Sequence, residues 1–283
     1  MNIAVVIVNY NGLADTLECI ESVKKSSIST QIFVVDNASK NDEIKTIEKC
    51  FPEVKTIRSD HNLGFAGGNN IAIRSALENG FDYVMLLNND TIIDVNMVAK
   101  MLDVVNHNTV VLPNMYYFTS PKELWFGGGV IRKVRGKVSH LQRTDSVPYE
   151  INFATGCCFL AHRSIFEKVG YLCEDYFMYC EDVDFSIRLI QAGVKIKVQP
   201  NAKLWHKVAK SSAQDGSAFR IYYNTRNRLL VARKFRSFFS IMTIPYIKCI
   251  AIYKMIVAKL RKKDDVYIAI KKALYDFKEI VDV

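Results

Sequence analysis

The chain has 283 residues, enough for one large folded domain or for a domain with an appendage. Its composition, 49% hydrophobic and 24% charged, is that of a folded protein and excludes a disordered chain. Its seven cysteines form no Cys-x-x-Cys pair, which argues against a disulfide framework and against a thiolate zinc site.

The positive charge is concentrated in the last third of the chain. Residues 203–283 carry 18 Lys and Arg against 6 Asp and Glu, whereas residues 1–202 carry 20 against 23. Such a basic tail favours an anionic partner, namely lipid, nucleic acid or a phosphate-bearing substrate. The apolar run at residues 3–8 is too short for a secretory signal and lacks a basic flank, so the expected location is the cytoplasm.

The first 90 residues alternate between strand and helix patterns. The β-branched run at residues 3–8 predicts a strand covered on both faces, and apolar spacing over residues 14–25 predicts a helix after it. This alternation predicts a doubly wound α/β sheet. Further strands are expected at 32–35, 54–57 and 83–87, with helices at 42–50 and from the end of a loop at 62–70 up to residue 79.

Polar side chains follow three of these strands where each strand ends: residues 9–11, residues 36–39 and Asn88 to Asp90. In open α/β sheets, ligands bind beyond the carboxyl ends of the strands, so Asp90 is a candidate ligand for a metal-bound diphosphate. The alternative is that these segments are simple Asn/Asp turns. The Gly-x-Gly-x-x-Gly pattern of a dinucleotide site is absent after the first strand.

A second polar cluster, Glu181, Asp182 and Asp184, lies beside an aromatic run at the start of a predicted helix. All three carboxylates cannot pair with Arg188, so one of them is a candidate general base. The alternative is that they only complement the helix dipole. Residues 195–198 then predict an edge strand, and His206 follows it as a lone histidine, a residue that is usually structural.

Apolar residues recur every three or four positions from 235 to 260, with an interruption near Pro245. This pattern predicts an interfacial helix on an anionic membrane. The alternative is a helix packed on the catalytic domain or in a homodimer interface. Lys248 and Lys254 exclude a spanning helix, and nucleic acid is disfavoured because no binding motif accompanies the charge.

These elements, taken in order, resemble the inverting nucleotide-sugar glycosyltransferases of family 2 with the A-type fold, within the rhamnosyltransferase-like branch. The resemblance implies an α/β fold, a Rossmann-like mixed sheet flanked by helices, with a carboxyl-terminal helical basic extension. It also implies a catalytic domain over residues 1–215, divided near residue 115 into a nucleotide-sugar half and an acceptor half, followed by the extension over 216–283.

The resemblance implies a role for each matching residue. Asp182 corresponds to the catalytic base, and Asp90 and His206 correspond to ligands of Mn²⁺ or Mg²⁺, although Asn88 stands where the family has a first acid. Glu181 and Trp205 are further candidate acceptor contacts. Trp125, Phe126 and His162 are candidates because aromatic faces suit sugar rings, and the alternative is that they belong to the core. The candidate nucleotide-sugar residues are Val8, Asn9, Tyr10, Asn11, Asp36, Asn37, Asn62, Gly64, Gly67, Gly68, Asn88, Asn89 and Asp90.

The expected function is transfer of a sugar to a hydroxyl group of a glycan acceptor, foremost a lipid-linked intermediate of a bacterial surface polysaccharide. L-Rhamnose from dTDP-rhamnose is the first choice of donor, and UDP-hexoses and UDP-galactofuranose are alternatives. A catalytically silent nucleotide-sugar-binding subunit is the alternative that Asn88 favours. A nucleotidyltransferase is disfavoured, because residues 9–12 contain no basic side chain.

Overall fold

The computed structural model describes residues 2–208 and 217–282. The predicted domain boundary near residue 215 lies outside these residues and stays a prediction. The strands are β1 (Ile3–Asn9), β2 (Gln31–Asp36), β3 (Lys55–Arg58), β4 (Tyr83–Leu87), β5 (Thr91–Ile93), β6 (Thr109–Tyr117), β7 (Leu124–Phe126), β8 (Gly129–Arg132), β9 (Lys137–His140), β10 (Tyr149–Ile151), β11 (Cys158–His162) and β12 (Lys195–His206). The helices are α1 (Leu13–Lys24), α2 (Glu43–Cys50), α3 (Gly64–Glu78), α4 (Met97–Leu102), α5 (Arg163–Val169), a 3₁₀ helix (Glu174–Tyr176), α6 (Glu181–Gln191), α7 (Ser217–Lys234), α8 (Thr243–Leu260) and α9 (Asp264–Asp282).

The main sheet has the strand order β3-β2-β1-β4-β11-β6-β12-β10, with β5 beside β12 and β7 beside β6. Strands β1 to β4 are parallel to one another, and β11 runs antiparallel between β4 and β6. Strands β8 and β9 form a separate hairpin. The sheet is therefore mixed and flanked by helices, which confirms the predicted α/β architecture.

The core is built on the central parallel strands. Val5, Val34 and Leu86 are fully buried, as expected for apolar strands covered on both faces. The pairing of β1 with β2 sets Asn9 beside Asp36 at the carboxyl ends of the two strands. Two of the predicted polar clusters therefore lie at one edge of the sheet, which we call the rim.

The expectation of a short edge strand at residues 195–198 is wrong. Strand β12 continues from Lys195 to His206 and lies inside the sheet, between β10 and β6. A register shift between Gln199 and Lys203 accommodates Pro200, which cannot donate to the ladder. The bulge lets the strand continue past the proline and carries His206 to the rim.

The predicted loop over residues 62–70 is also wrong, because α3 begins at Gly64. The glycines allow close packing of this first turn, which overrides their poor helix propensity. A Cβ on Gly67 would lie 2.6 Å from the Cβ of Leu63, and one on Gly68 would lie 3.0 Å from Cγ1 of Val8. The helix therefore lies directly against the end of β1.

The tail forms three helices rather than one helix interrupted near Pro245. Helix α7 ends at Lys234, the chain turns, and Pro245 lies in the first turn of α8, where its missing N–H costs little. The β8–β9 hairpin contacts both helices: Arg228 Nε donates to Gly136 O at 2.9 Å, and Thr243 Oγ1 donates to Lys133 O. Within the described residues, no helix is long and apolar enough to cross a membrane.

We expect Gly64→Ala to destabilise the fold strongly. Gly64 has φ +70°, and an added Cβ would lie 2.1 Å from the carbonyl oxygen of Phe177. Gly80→Ala is the matched control, because Gly80 has φ +80° but nothing within 4 Å of the added Cβ. Urea unfolding should show a loss of about 1–2 kcal/mol for the control and of roughly 3 kcal/mol or more for Gly64→Ala. Equal losses would show that the contact with Phe177 does not constrain α3.

Candidate active site

Asn9 is the centre of the hydrogen-bond network at the end of β1. Its Nδ2 donates to Asp36 Oδ1 at 2.9 Å and to Glu43 Oε2 at 2.8 Å, and its Oδ1 accepts from Thr16 Oγ1 at 2.7 Å. Asn9 and Asp36 are both buried. Because the amide is bonded on both sides, it fixes the orientation of the Asp36 carboxylate at the rim.

Asn37 connects the end of β2 to the start of α3. Its Oδ1 accepts from Leu63 N at 2.9 Å, and its Nδ2 donates to Asn62 Oδ1 at 3.1 Å and to Gly64 O at 3.0 Å. The segment from Asn62 to Gly68 therefore lies beside Asp36 and Val8. These side chains, which the sequence places far apart, form one wall of the rim.

Tyr10 and Asn11 continue from the end of β1 over the same edge. Tyr10 is 44% exposed, and the left-handed Asn11 accepts at Oδ1 from Lys40 N at 2.9 Å. An exposed aromatic ring beside a buried carboxylate is a surface on which a nucleobase can stack. The structure thus brings all of the predicted nucleotide residues from β1, β2 and α3 together.

The residues after β4 join this network. Asn89 Nδ2 donates to Thr16 Oγ1 at 2.9 Å, the same hydroxyl that donates to Asn9. Asn88 N donates to Cys157 O at 2.9 Å, which ties the cluster to the segment before β11. Asn88 and Asn89 are half-buried, whereas Asp90 is buried.

Asp90 and His206 meet although 116 positions separate them. The antiparallel pairing of β5 with β12 sets His206 opposite Thr91, and His206 Nε2 lies 3.1 Å from Asp90 Oδ1. Lys207 N donates to Asp90 O at 2.8 Å, so the backbone reinforces the contact. Burial opposes protonation of the ring, but the neighbouring Cys157 and Asp90 raise the pKa of His206 to about 10.

The residue types of this pair, a carboxylate and an imidazole in contact, fit a divalent cation. In the structure their 3.1 Å contact is a hydrogen bond between His206 Nε2 and Asp90 Oδ1, so the ring must lose its proton before it can act as a ligand. The other ring nitrogen of His206, Nδ1, is buried without a hydrogen-bond partner among the described residues. No group of three or more His, Cys, Asp and Glu side chains suited to a metal occurs in residues 2–208 and 217–282.

The carboxylates at the start of α6 have three different environments. Asp184 is fully buried and accepts from Arg188 Nε, Tyr176 OH and Lys234 Nζ at 2.6, 2.9 and 2.6 Å. It is therefore a structural ion-pair centre. Asp182, by contrast, is half-buried and, among the described residues, accepts from the backbone amides Gly156 N at 3.4 Å and Val183 N at 2.8 Å.

The two neighbouring acids titrate apart. Burial, followed by the negative charge of Asp182, raises the pKa of Glu181 well above its ordinary value. Burial also raises the pKa of Asp182, to about 6, although the amides of Gly156 and Val183 lower it. Asp182 is therefore ionised above about pH 6, in an environment that solvates its charge weakly. This is the state expected of a general base.

A glycosyl transferase family 2 model matches residues 4–170, more than half of the chain. The chain belongs to glycosyl transferase family 2. The match covers β1 to β4, the Asn88 to Asp90 cluster and the β8–β9 hairpin, and so confirms the resemblance drawn from the sequence. Asp182 and His206 lie beyond the matched residues, and their placement rests on the geometry above.

Two relatives span most of the chain. It is 26% identical over 243 residues to the low-salt glycan biosynthesis hexosyltransferase Agl10 of Haloferax volcanii, covering 82% of this chain and 75% of that protein. It is 24% identical over 245 residues to the dTDP-rhamnosyl transferase RfbF of Shigella flexneri, covering 82% and 80%. The crystal structure of GalNAc-T7 with UDP, GalNAc and Mn²⁺ matches with a TM-score of 0.62 at 18% identity, over 72% of this chain but only 43% of that one. This structural match confirms the A-type fold.

The predicted acceptor residues of this family 2 chain do not lie together in the structure. Trp125 is half-buried, and its ring centroid lies 4.5 Å from that of His206. Phe126 is fully buried in the core, where no acceptor reaches its side chain. Trp205 lies on the opposite face of β12 from His206 and donates to Pro121 O at 3.2 Å. His162 pairs with Tyr83 at the amino end of β4, away from the rim.

A strained turn positions Asp182. Phe177, Tyr179 and Cys180 have φ values of 62°, 67° and 76°, in the region that L residues rarely adopt. Asn227 of α7 is fully buried, and its Nδ2 lies 2.8 to 2.9 Å from three carbonyl oxygens of this turn, those of Tyr176, Met178 and Tyr179. The tail therefore supports the turn from which the catalytic helix α6 begins.

Sequence reasoning found no role for Asn227 and did not single out Thr16 or Glu43. All three act through contacts between segments distant in sequence, so no local pattern marks them. Glu43, in the first turn of α2, has the ordinary appearance of a helix-dipole partner. The sequence does give one signal for Asn227: asparagine is a poor helix former, so its presence in the middle of a basic helix indicates a role for its side chain.

We expect Asn227→Ala to lower kcat about tenfold or more, because the turn before Asp182 loses its support. The KM for donor should change less, since Phe177, the residue of this turn that contacts the first turn of α3, does not bond to Asn227. The free energy of unfolding should fall by about 1–3 kcal/mol, the cost of unpaired buried carbonyls. Asn224→Ala is the control, since Asn224 donates only to Arg220 O of its own helix. A loss of stability with unchanged kcat would mean that Asn227 has no positioning role.

The acid limb of the pH–rate profile should follow the ionisation of the Asp182 carboxylate. Its pKa is raised to about 6 by burial, so the carboxylate is ionised above this pH, and kcat/KM should fall tenfold per unit below it. Glu181→Gln should keep the limb, because Gln resembles the protonated acid. A limb near pH 4, the ordinary range of an exposed aspartate, would contradict the environment described here.

Proposed function

We propose that the protein is an inverting, metal-dependent glycosyltransferase that moves a sugar from a nucleotide donor to an acceptor hydroxyl. One observation carries the proposal: the tripeptide 155–157 touches both halves of the site. Gly156 N donates to Asp182, and Cys157 O accepts from Asn88 N. The candidate base and the candidate diphosphate cluster therefore both bond to one segment of three residues.

In this mechanism the chain's own groups perform two tasks. Asp36, Asn37 and Tyr10 bind the nucleobase and ribose at the end of β1 and β2. Asp182 accepts the proton of the acceptor hydroxyl as its oxygen attacks the anomeric carbon. The bond from that carbon to the diphosphate oxygen breaks, and the nucleoside diphosphate leaves from the opposite face, so the configuration inverts. General-base action of this kind contributes ~10²- to 10⁴-fold.

Asp90 and His206 would hold Mn²⁺ or Mg²⁺ together with the donor diphosphate. The ion would act as a Lewis acid for the charge that develops on the leaving group. An imidazole ligand favours Mn²⁺ over Mg²⁺. The presence of Mn²⁺ in the GalNAc-T7 structure supports the same choice. Asn88, in place of an acid, leaves the cluster with less negative charge than the family pattern.

For the donor we propose dTDP-L-rhamnose, with UDP-hexoses and UDP-galactofuranose as alternatives. The dTDP-rhamnosyl transferase RfbF supports the first, since the match covers 80% of that protein. The hexosyltransferase Agl10 supports a hexose, at similar identity. The proposed acceptor is a glycan hydroxyl on a lipid-linked intermediate of a surface polysaccharide, and Trp125 is the aromatic residue best placed to contact it.

A catalytically silent nucleotide-sugar-binding subunit is the rival function. Asn88 favours it, because the lost acid weakens a metal site. The environment of Asp182 disfavours it, since a binding subunit has no use for a partly desolvated carboxylate. Donor binding without any transfer in the presence of Mn²⁺ and acceptor would support this rival.

Calorimetric titration with dTDP-rhamnose, UDP-glucose and UDP-galactose, with and without Mn²⁺, tests the proposal. We expect one donor to bind selectively and more tightly with Mn²⁺. Asp90→Ala should lose most of the metal effect, about 10- to 100-fold in affinity. Asp182→Asn should bind the donor within about twofold of the parent and lose ~10²- to 10⁴-fold in transfer rate.

The same titrations can overturn the proposal. If no nucleotide sugar binds under any condition, the rim is not a donor site. If Asp182→Asn loses donor affinity but transfers normally once saturated, Asp182 is a binding residue and the base lies elsewhere. Donor binding that Mn²⁺ does not change would remove the metal ligands Asp90 and His206 from the mechanism.

A further inference from the structure

Helices α7, α8 and α9 enclose a cavity of about 370 Å³ that lies outside the site described above. Its apolar lining residues are Ile244, Ile252, Leu274 and Phe277. Four cations also line it: Arg233 of α7, Arg236 just after α7, Lys248 of α8 and Lys278 of α9. A cavity with both apolar and cationic lining residues fits a ligand with an apolar body and an anionic head.

Among the described residues, none of these four cations has an ion pair with a carboxylate, whereas two nearby basic side chains have partners in the protein. Lys234 bonds to Asp184, and Arg228 donates to backbone carbonyls of the β8–β9 hairpin. Asp276 of α9 accepts from Tyr222 instead. Like charges around one cavity repel one another, so an anion bound among them is favoured.

Helix α8 is apolar on two opposite sides. Ile247, Ala251 and Ala258 are buried against the protein, as a packed helix requires. The other side is exposed, with Met242 at 58% and Leu260 at 78%, and it continues past the cavity through the exposed side chains Pro245, Cys249, Ile252, Tyr253 and Ile256. Soluble surfaces rarely present such a stripe, whereas interfacial helices do.

Charge decides between the possible occupants of this face. Residues 203–283 carry 18 basic against 6 acidic residues, so pairing two copies through it would bring like charges together. A bilayer with anionic lipids supplies both complements, acyl chains for the stripe and phosphates for the cations. Each basic residue near such a surface contributes ~1 kcal/mol. The consecutive basic residues 261–263 lie at the end of the stripe.

We propose that the cavity between α7, α8 and α9 binds the phosphate headgroup of an anionic phospholipid while the exposed stripe of α8 lies in the bilayer surface. The cavity binds one lipid specifically, beyond the general attraction of a basic tail. Arg233 lies on the same helix as Asn227, which supports the turn before Asp182. Lipid binding would therefore hold at the membrane the helix that supports this turn. The inference does not depend on the identity of the sugar donor.

Vesicle flotation of the full chain tests this inference. The protein should bind vesicles of phosphatidylcholine with phosphatidylglycerol and should bind phosphatidylcholine vesicles weakly. Arg233→Gln combined with Lys248→Gln should weaken binding to the anionic vesicles about tenfold or more. The matched control, Lys49→Gln combined with Lys122→Gln, removes the same charge from exposed positions away from the tail and should change binding about twofold or less. Ile256→Asp, at an exposed position of the stripe, should also weaken binding.

Other outcomes would overturn the inference. Equal losses in the cavity pair and in the control pair would leave only general attraction. Tight calorimetric binding of inorganic phosphate or pyrophosphate without vesicle binding would make the cavity a site for a soluble anion. A dimer in solution that Ile256→Asp dissociates, without vesicle binding, would make the stripe an interface between copies. Donor binding by the Arg233/Lys248 variant should match the parent, so failure here is distinct from failure of the proposed function.

Discussion

A single buried carboxylate joins the catalytic domain to the tail. Asp184 is fully buried, and its oxygens accept from Arg188, Tyr176 and Lys234, which belong to α6, the 3₁₀ helix and α7. A buried charge is tolerated only when it is paired and hydrogen-bonded, so these three elements must meet around it. Asp182 lies two residues before Asp184, in the first turn of the same helix. The position of this candidate base thus depends on the ion pairs of Asp184.

The tail is therefore part of the catalytic unit as well as its basic extension. Asn227 supports the strained turn before α6, and Lys234 completes the pairing of Asp184. The same helix contributes Arg233 to the cationic cavity. Helix α7, which has 18 residues, therefore contributes both to the cavity and to the support of the turn before Asp182. This arrangement suits an enzyme whose acceptor is presented at a surface.

The local sequence pattern predicted the structure correctly where the burial of apolar side chains alone decided it. The apolar run of β4 ends at Leu87 as predicted, because a strand buried on both faces needs continuous hydrophobicity and ends where polar residues begin. It failed at α3, whose glycines suggested a loop until packing against Val8 and Leu63 was visible. It failed again at Pro200, where a bulge in β12 compensates for the missing donor. In both places tertiary contacts outweighed propensity.

The sequence by itself determined the α/β fold class and the polar rim with Asp90, because hydrophobic period and strand-end polarity are local properties. It offered Glu181, Asp182 and Asp184 as candidate bases, and the family resemblance selected Asp182. Only the tertiary structure decided which side chains share an environment. It brought His206 within 3.1 Å of Asp90, buried Phe126, turned Trp205 away and set the pKa of Asp182 near 6. Distance, burial and desolvation depend on segments far apart in the chain, and no window of sequence contains them.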